Sequence, residues 1–137
     1  MWSGIRGEMR IFRDRWLPLE ALRMTPEGRW EASVQLEPSS EWFSGHFDKY
    51  PLAPGVALLA LAAETVKKQG REQGRFLEVS GFSGVRFRRL VLPGEELLIS
   101  VGAMPPAPEA KLDFHMTCHG HTIVHGVLQA AEKRSGE

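Results

Sequence analysis

The chain of 137 residues has a single cysteine and no net charge, because 17 basic side chains balance 17 acidic ones. One thiol forms no internal disulfide, so nothing in the sequence demands an oxidising compartment. Balanced charge gives no support for a nucleic-acid partner. The longest apolar run, Val56 to Ala63, is far shorter than the roughly 20 residues that a membrane-spanning helix needs. We therefore expect no membrane partner and a cytoplasmic location.

Composition and length are those of an ordinary globular domain. Hydrophobic residues make up 42% and charged residues 25%. Residues 1–16 contain four arginines and lack the apolar stretch of a signal peptide. We expect one domain over residues 1–137, with residues 132–137 as a flexible polar tail.

Alternation of apolar and polar residues with a period of two predicts about six strands, mostly antiparallel. The clearest strands are Trp30–Leu36 and Leu112–Cys118. Weaker signals lie near Leu19–Met24, in Leu97–Ala103, in Thr122–Ala130, and in an extended stretch, Phe76–Arg89, that Gly81 and Gly84 interrupt. His119 and Gly120 predict a tight turn between the last two strands.

One segment, Pro54–Gln69, is typical of a helix. Pro54 has the residue type favoured in a first turn, and Gly70 is well placed to end the helix. The first two turns are apolar all round, which predicts burial on all sides. The expected fold class is α+β, with an antiparallel sheet wrapped around one long central helix.

The segment just before this helix is the most unusual part of the sequence. His46 stands between a glycine and an aromatic residue, and two prolines and a glycine fix the loop that follows. A histidine in such a place serves either in proton transfer or simply as a packed loop residue.

This segment closely resembles the signature of the β-hydroxyacyl-acyl-carrier-protein dehydratases, since it reads Phe43-x-Gly45-His46-Phe47 and then Pro51-x-x-Pro54-Gly55-Val56. A second block also resembles the family: Gly84-Val85-Arg86-Phe87-Arg88-Arg89-x-Val91-x-Pro93-Gly94-Glu95. The resemblance covers roughly residues 30–130 and leaves residues 1–15 poorly matched. It implies the hot-dog fold and a homodimer, or a higher oligomer of dimers, with an acyl pocket between protomers and no cofactor.

The resemblance also implies roles for individual residues. Dehydration needs a base, an acid for the leaving hydroxyl and stabilisation of the developing enolate oxygen. His46 matches the catalytic histidine of the family. Gly55, followed by Val56, matches the glycine at the helix start, where a free backbone amide and the positive end of the helix hold the thioester oxygen.

The acid of the family is missing. The resemblance places a Glu or Asp fourteen residues after the histidine, and this chain has Ala60 there. Glu64, four residues further, shares a helix face with Ala60. Our hypothesis is that Glu64 is partly buried and acts as a displaced acid or a water-orienting base. Alternatively, Glu64 begins a solvated, charged helix end together with Lys67 and Lys68.

Three functions therefore remain open. The first is a lyase that dehydrates β-hydroxyacyl thioesters, linked to acyl carrier protein or coenzyme A, in fatty-acid or related acyl-chain synthesis. The second is an acyl-thioester hydrolase in which Glu64 activates water. The third is a non-catalytic acyl-binding or partner subunit that has lost its acid.

Two further groups of residues carry weaker signals. Arg86, Arg88 and Arg89 form a basic set that would attract a phosphopantetheine phosphate or an acidic carrier protein, although a strand with exposed arginines explains them equally well. The histidines of the last two strands have no cysteine or aspartate at a ligand-like spacing, so no metal site is predicted. Cys118 alternates with core residues and is expected to be buried and inert.

Overall fold

The computed structural model describes residues 20–35, 55–92 and 94–133. In chain order the elements are β1 (Glu20–Met24), β2 (Arg29–Gln35), α1 (Gly55–Glu72), β3 (Phe76–Phe87), β4 (Glu96–Gly102), β5 (Glu109–Cys118) and β6 (His121–Lys133). The strands form one antiparallel sheet in the order β1-β2-β4-β5-β6-β3. The predicted α+β class is confirmed, and the described ranges contain one helix and six strands.

The sheet is two-faced, as the period-two alternation predicts. On β2 the side chains of Trp30, Ala32 and Val34 are buried, and those between them are not. On β5 the buried set is Leu112, Phe114, Met116 and Cys118. The buried face packs against α1 to form the hydrophobic core, because α1 contributes Leu58, Leu61 and Val66 to the same cluster.

The helix buries one side rather than its whole circumference. Val56 is 58% exposed, and Leu59 and Ala60 are only partly buried. Our expectation of burial on all sides is therefore wrong for the single chain, because the sheet covers one side of the helix only.

The helix also ends later than expected. It runs through Gly70 to Glu72, and the residue with a left-handed backbone is Gly74, at φ +71°. The Arg75 amide donates to the Gly70 carbonyl at 2.8 Å and the Gly74 amide to the Arg71 carbonyl at 3.2 Å, which is the Schellman pattern. Gly70 is glycine for a packing reason, since a Cβ there would lie 2.7 Å from the Arg75 carbonyl oxygen.

Glycines and a left-handed histidine shape the strands and their turns. The pairing of β3 with β6 shifts register between Val79 and Gly81 and again between Ser83 and Arg86, which matches the predicted interruptions. His119 (φ +53°) and Gly120 (φ +80°) form the predicted two-residue turn, in the backbone region of a type I′ hairpin.

The C-terminal strand is longer than expected. Glu132 and Lys133 belong to β6, where they pair with Leu77 and Phe76. Arg75 donates to the Glu132 carboxylate at 2.7 Å, so β6 extends two residues into the stretch expected to be a flexible tail. Residues 134–137 lie outside the described part of the chain, as do His46 and its loop. No helix in the described ranges is both long and apolar enough to cross a membrane.

Candidate active site

The start of α1 lies under an aromatic ring from β3. Gly55 is the first residue of the helix. A Cβ at this position would lie 2.9 Å from Cζ of Phe87 and 3.1 Å from its Cε1, so a side chain here displaces the ring. The first amides of a helix have no partner within the helix, and they lie at its positive end. Gly55 therefore lets the ring of Phe87 pack directly against the first turn of the helix.

Exposed apolar side chains lie at the helix start and on the segment that follows β3. Val56 follows Gly55 directly, and Phe87 at the end of β3 is 52% exposed. Leu90 and Leu92, on the segment after β3, are also exposed, at 69% and 49%. Exposed large apolar side chains that form one contiguous patch are typical of an interaction or ligand-binding surface.

The helix carries a buried carboxylate one turn beyond the position of the missing acid. Ala60 is partly buried, whereas Glu64 is only 5% exposed. Nη2 of Arg71 lies 3.2 Å from Oε2 of Glu64, and the Arg71 side chain is half exposed. The structure thus shows a buried, paired Glu64 rather than the solvated residue of the alternative interpretation. A catalytic role for Glu64 remains a prediction.

The basic set lies on and just after the end of β3. Arg86, Arg88 and Arg89 are all exposed. The Arg88 side chain donates from Nε to Nε2 of His125 at 3.1 Å, and its amide donates to the Ile123 carbonyl at 2.7 Å. These contacts hold the arginine segment against β6, at the end of the sheet where Phe87 meets Gly55.

The structure brings together a group of side chains that the sequence did not suggest. Glu95, Cys118 and His119 have a carboxylate oxygen, a sulfur and a ring nitrogen that all lie within 4.8 Å of one another. Burial, together with the nearby Glu95 carboxylate, raises the pKa of the Cys118 thiol to about 11. No local sequence pattern indicates this group, because it depends on the pairing of β4 with β5.

The amino-acid sequence matches a family of dehydratases and several individual dehydratases. The family model described as ApeI dehydratase, of the ApeI-like family, matches residues 23–127. A 3-hydroxyacyl-[acyl-carrier-protein] dehydratase FabZ from Thermus thermophilus is 30% identical over 102 residues, which span 69% of this chain and 72% of the relative. The corresponding FabZ of Hydrogenobaculum is 30% identical over 99 residues, 67% of each chain.

A third relative matches a shorter segment. The FabZ of Listeria welshimeri is 35% identical over 65 residues, 44% of this chain. The chain thus spans 45% of the length of that relative.

Solved structures share the fold at low sequence identity. The dehydratase heterocomplex ApeI:P from Xenorhabdus doucetiae superposes with a TM-score of 0.65 at 22% identity, covering 82% of this chain and 96% of that one. The PaaI protein of E. coli gives a TM-score of 0.67 at 12% identity, covering 97% and 93%. A hypothetical thioesterase of Streptococcus pneumoniae gives 0.64 at 14% identity, covering 84% and 88%.

These findings confirm the resemblance that the two sequence motifs carried. They also confirm the hot-dog fold, which in the described residues consists of six antiparallel strands and one helix packed against them. The chain belongs to the ApeI-like dehydratase family.

Proposed function

We propose that this chain acts on β-hydroxyacyl thioesters as a dehydratase-type lyase. The observation that carries the proposal is Gly55, which begins α1 beside the exposed ring of Phe87 at the position that the family motif assigns to the oxyanion donor. The match of residues 23–127 to the ApeI-like family supports the reaction class.

The proposed chemistry uses an imidazole and a backbone amide. His46, which lies outside the described residues, takes the proton from the carbon next to the thioester carbonyl. The Gly55 amide donates a hydrogen bond to the carbonyl oxygen as enolate charge develops, and the helix dipole adds to that stabilisation. The hydroxyl then leaves the neighbouring carbon with a proton, so the products are an enoyl thioester and water.

The source of the leaving group's proton is the open part of this mechanism. Glu64 is the proposed substitute for the absent acid, because its buried carboxylate lies one turn from Ala60. Its partner Arg71 argues for a role in orienting water, since a carboxylate in an ion pair accepts hydrogen bonds. That role also fits the alternative of thioester hydrolysis.

Ala60 favours a second candidate function, a partner subunit that has lost its own acid. In that case the carboxylate comes from a paralogous chain, or the chain only binds acyl groups. The structural neighbour from Xenorhabdus doucetiae is a dehydratase heterocomplex, which supports assembly with a second, different subunit.

The proposed partners follow from the surface around the helix start. β3 is the last strand of the sheet, and among the described residues it has a neighbouring strand only on the β6 side. The free edge of β3 and the exposed Phe87 and Leu90 support a dimer with the acyl pocket between protomers. Arg86, Arg88 and Arg89 are the proposed contacts for phosphopantetheine or an acidic carrier protein.

One assay separates these functions. The full chain is mixed with an enoyl thioester and with a β-hydroxyacyl thioester, and hydration and free-thiol release are followed separately. We expect reversible hydration that falls by about 10²–10⁴-fold in His46→Ala, the typical contribution of one general acid–base group. His121→Ala is the matched control, because His121 is exposed at the far side of the β5–β6 turn.

The other outcomes identify the other functions. Thiol release that disappears in Glu64→Gln points to the hydrolase. Stoichiometric acyl binding with neither hydration nor thiol release contradicts the lyase and points to the partner subunit. The same assay with a paralogous subunit added then tests whether the heterocomplex restores turnover.

A further inference from the structure

The end of the sheet near the helix start carries a cluster of three metal-ligating side chains. Glu95 precedes β4, Cys118 ends β5 and His119 opens the β5–β6 turn. One ligand atom from each lies within 4.8 Å of the other two. We propose that Glu95, Cys118 and His119 bind a divalent transition-metal ion, with Zn²⁺ as the best fit.

The chemistry of the donors selects the class of metal. Zn²⁺ takes sulfur, imidazole nitrogen and carboxylate oxygen in tetrahedral sites, at about 2.0–2.3 Å from each. Mg²⁺ and Ca²⁺ prefer oxygen ligands alone, so a thiolate and an imidazole argue against them. Three protein ligands leave the fourth position of the tetrahedron for water or another donor.

The cluster needs only a small adjustment to close around an ion. Oε2 of Glu95 and Nε2 of His119 are 4.0 Å apart, whereas two ligands of a tetrahedral zinc ion lie roughly 3.3 Å apart. The His119 side chain is 73% exposed, so its ring is free to turn towards the ion. Cys118 is buried and supplies the fixed end of the site.

Two backbone features hold the ligands in place. The Leu92 amide donates to Oε1 of Glu95 at 2.8 Å, which orients the carboxylate and leaves Oε2 on the side of His119. The left-handed backbone of His119 and Gly120 fixes the turn that places the ring beside Cys118. The ligands thus belong to two segments that the ion would join.

Binding replaces a proton by the metal. The S–H bond of Cys118 breaks, a sulfur–metal bond forms, and the proton passes to solvent. The ion then balances the charges of the thiolate and the Glu95 carboxylate. It also ties the segment before β4 to the β5–β6 turn, so Zn²⁺ stabilises the folded chain by mass action.

Cobalt is the probe that reports on the sulfur directly. The full chain is stripped with a chelator and titrated with Co²⁺ alone. Because Cys118 is the one cysteine of the chain, a thiolate-to-cobalt charge-transfer band in the near ultraviolet reports this site. We expect the band at one Co²⁺ per chain, its loss in Cys118→Ala and its displacement by Zn²⁺.

Variants of the other two ligands test the composition of the site. Glu95→Gln and His119→Asn should each weaken Zn²⁺ binding at least tenfold, and His119→Asn keeps the turn because Asn-Gly favours it. His121→Asn is the control, because it changes an exposed histidine two residues away that lies outside the cluster. An unchanged Zn²⁺ affinity in both ligand variants overturns the proposal.

A second measurement needs no variant. Zn²⁺ should slow the reaction of the Cys118 thiol with a small alkylating reagent at least tenfold and should raise the midpoint of thermal unfolding. A charge-transfer band that never forms, together with an alkylation rate that Zn²⁺ leaves unchanged, also overturns the proposal. Neither readout depends on turnover, so failure here is distinct from failure of the lyase assay.

Discussion

The two halves of α1 differ in how their side chains are used. In the first half, Val56 is exposed and Ala60 stands where the family has its acid. In the second half, Glu64 pairs with Arg71, and Gln69 bridges to the segment after β4. The second half thus carries the polar contacts of the helix, whereas the first half combines core residues with an exposed side at Val56.

Restoring an acid in the first half of α1 should have the largest effect of the changes considered, and this effect is on the hydration rate. If His46 and Gly55 are arranged as proposed, Ala60→Glu supplies the missing proton donor and raises the hydration rate by about 10²–10⁴-fold. Ala60→Gln is the matched control, because glutamine has the size of glutamate but no acidic proton. Equal rates for the two variants would mean that this side chain does not reach the reacting group.

Removing the hydrogen bonds of Gln69, in the second half of α1, should cause the largest loss of stability. Gln69 is fully buried, accepts from the Met104 amide and donates to the Gly102 carbonyl. Gln69→Leu leaves the buried Met104 amide and the partly buried Gly102 carbonyl without this partner, so we expect a loss of about 2–4 kcal/mol in the free energy of unfolding. Urea denaturation measures this loss. Gln73→Leu is the control: Gln73 is exposed, so its replacement should change the free energy of unfolding by no more than about 0.5 kcal/mol.

The Glu64–Arg71 ion pair should contribute less to the free energy of unfolding than the hydrogen bonds of Gln69. Arg71 is 54% exposed, so solvent screens its attraction to the buried carboxylate. A double-mutant cycle of Glu64→Gln and Arg71→Met should give a coupling energy of about 0.5–1 kcal/mol. A coupling near zero would show that the pair does not hold Glu64, which would then be free for the proposed reaction.

The smallest stability change is expected at the exposed side of the first half. Val56→Ser removes an exposed side chain and should change the free energy of unfolding of the monomer by no more than about 0.5 kcal/mol. Unfolding measured at several protein concentrations checks this. A loss above 1 kcal/mol that grows with protein concentration would instead mean that a second subunit covers Val56.

The elements of the fold were accessible from sequence because local pattern determines them. The alternation around Trp30 and Phe114 and the apolar run after Pro54 identify strands and helix without tertiary information. The end of the helix was not accessible in this way. Gly70 and Gly74 look alike in sequence, and only packing against the Arg75 carbonyl shows that Gly70 is kept for space.

The candidate site was predictable only in part. Gly55 and Ala60 follow from the motif and its spacing, and both lie on α1, but their roles stay predictions. Glu64 is buried and paired with Arg71, seven residues along the helix, and periodicity alone does not single out that pair. The neighbourhood of Glu95 and Cys118 depends on strand pairing across 23 residues of sequence, which no local pattern encodes.

The contact between Phe87 and Gly55 connects the start of the helix to an edge strand of the sheet. The ring that lies against the first helical residue is carried by the outermost strand of the sheet. A second subunit that packs on the edge of β3, as proposed above, would therefore contact the strand that carries this ring. The proposed dimer contact and the proposed thioester site would then share one structural element.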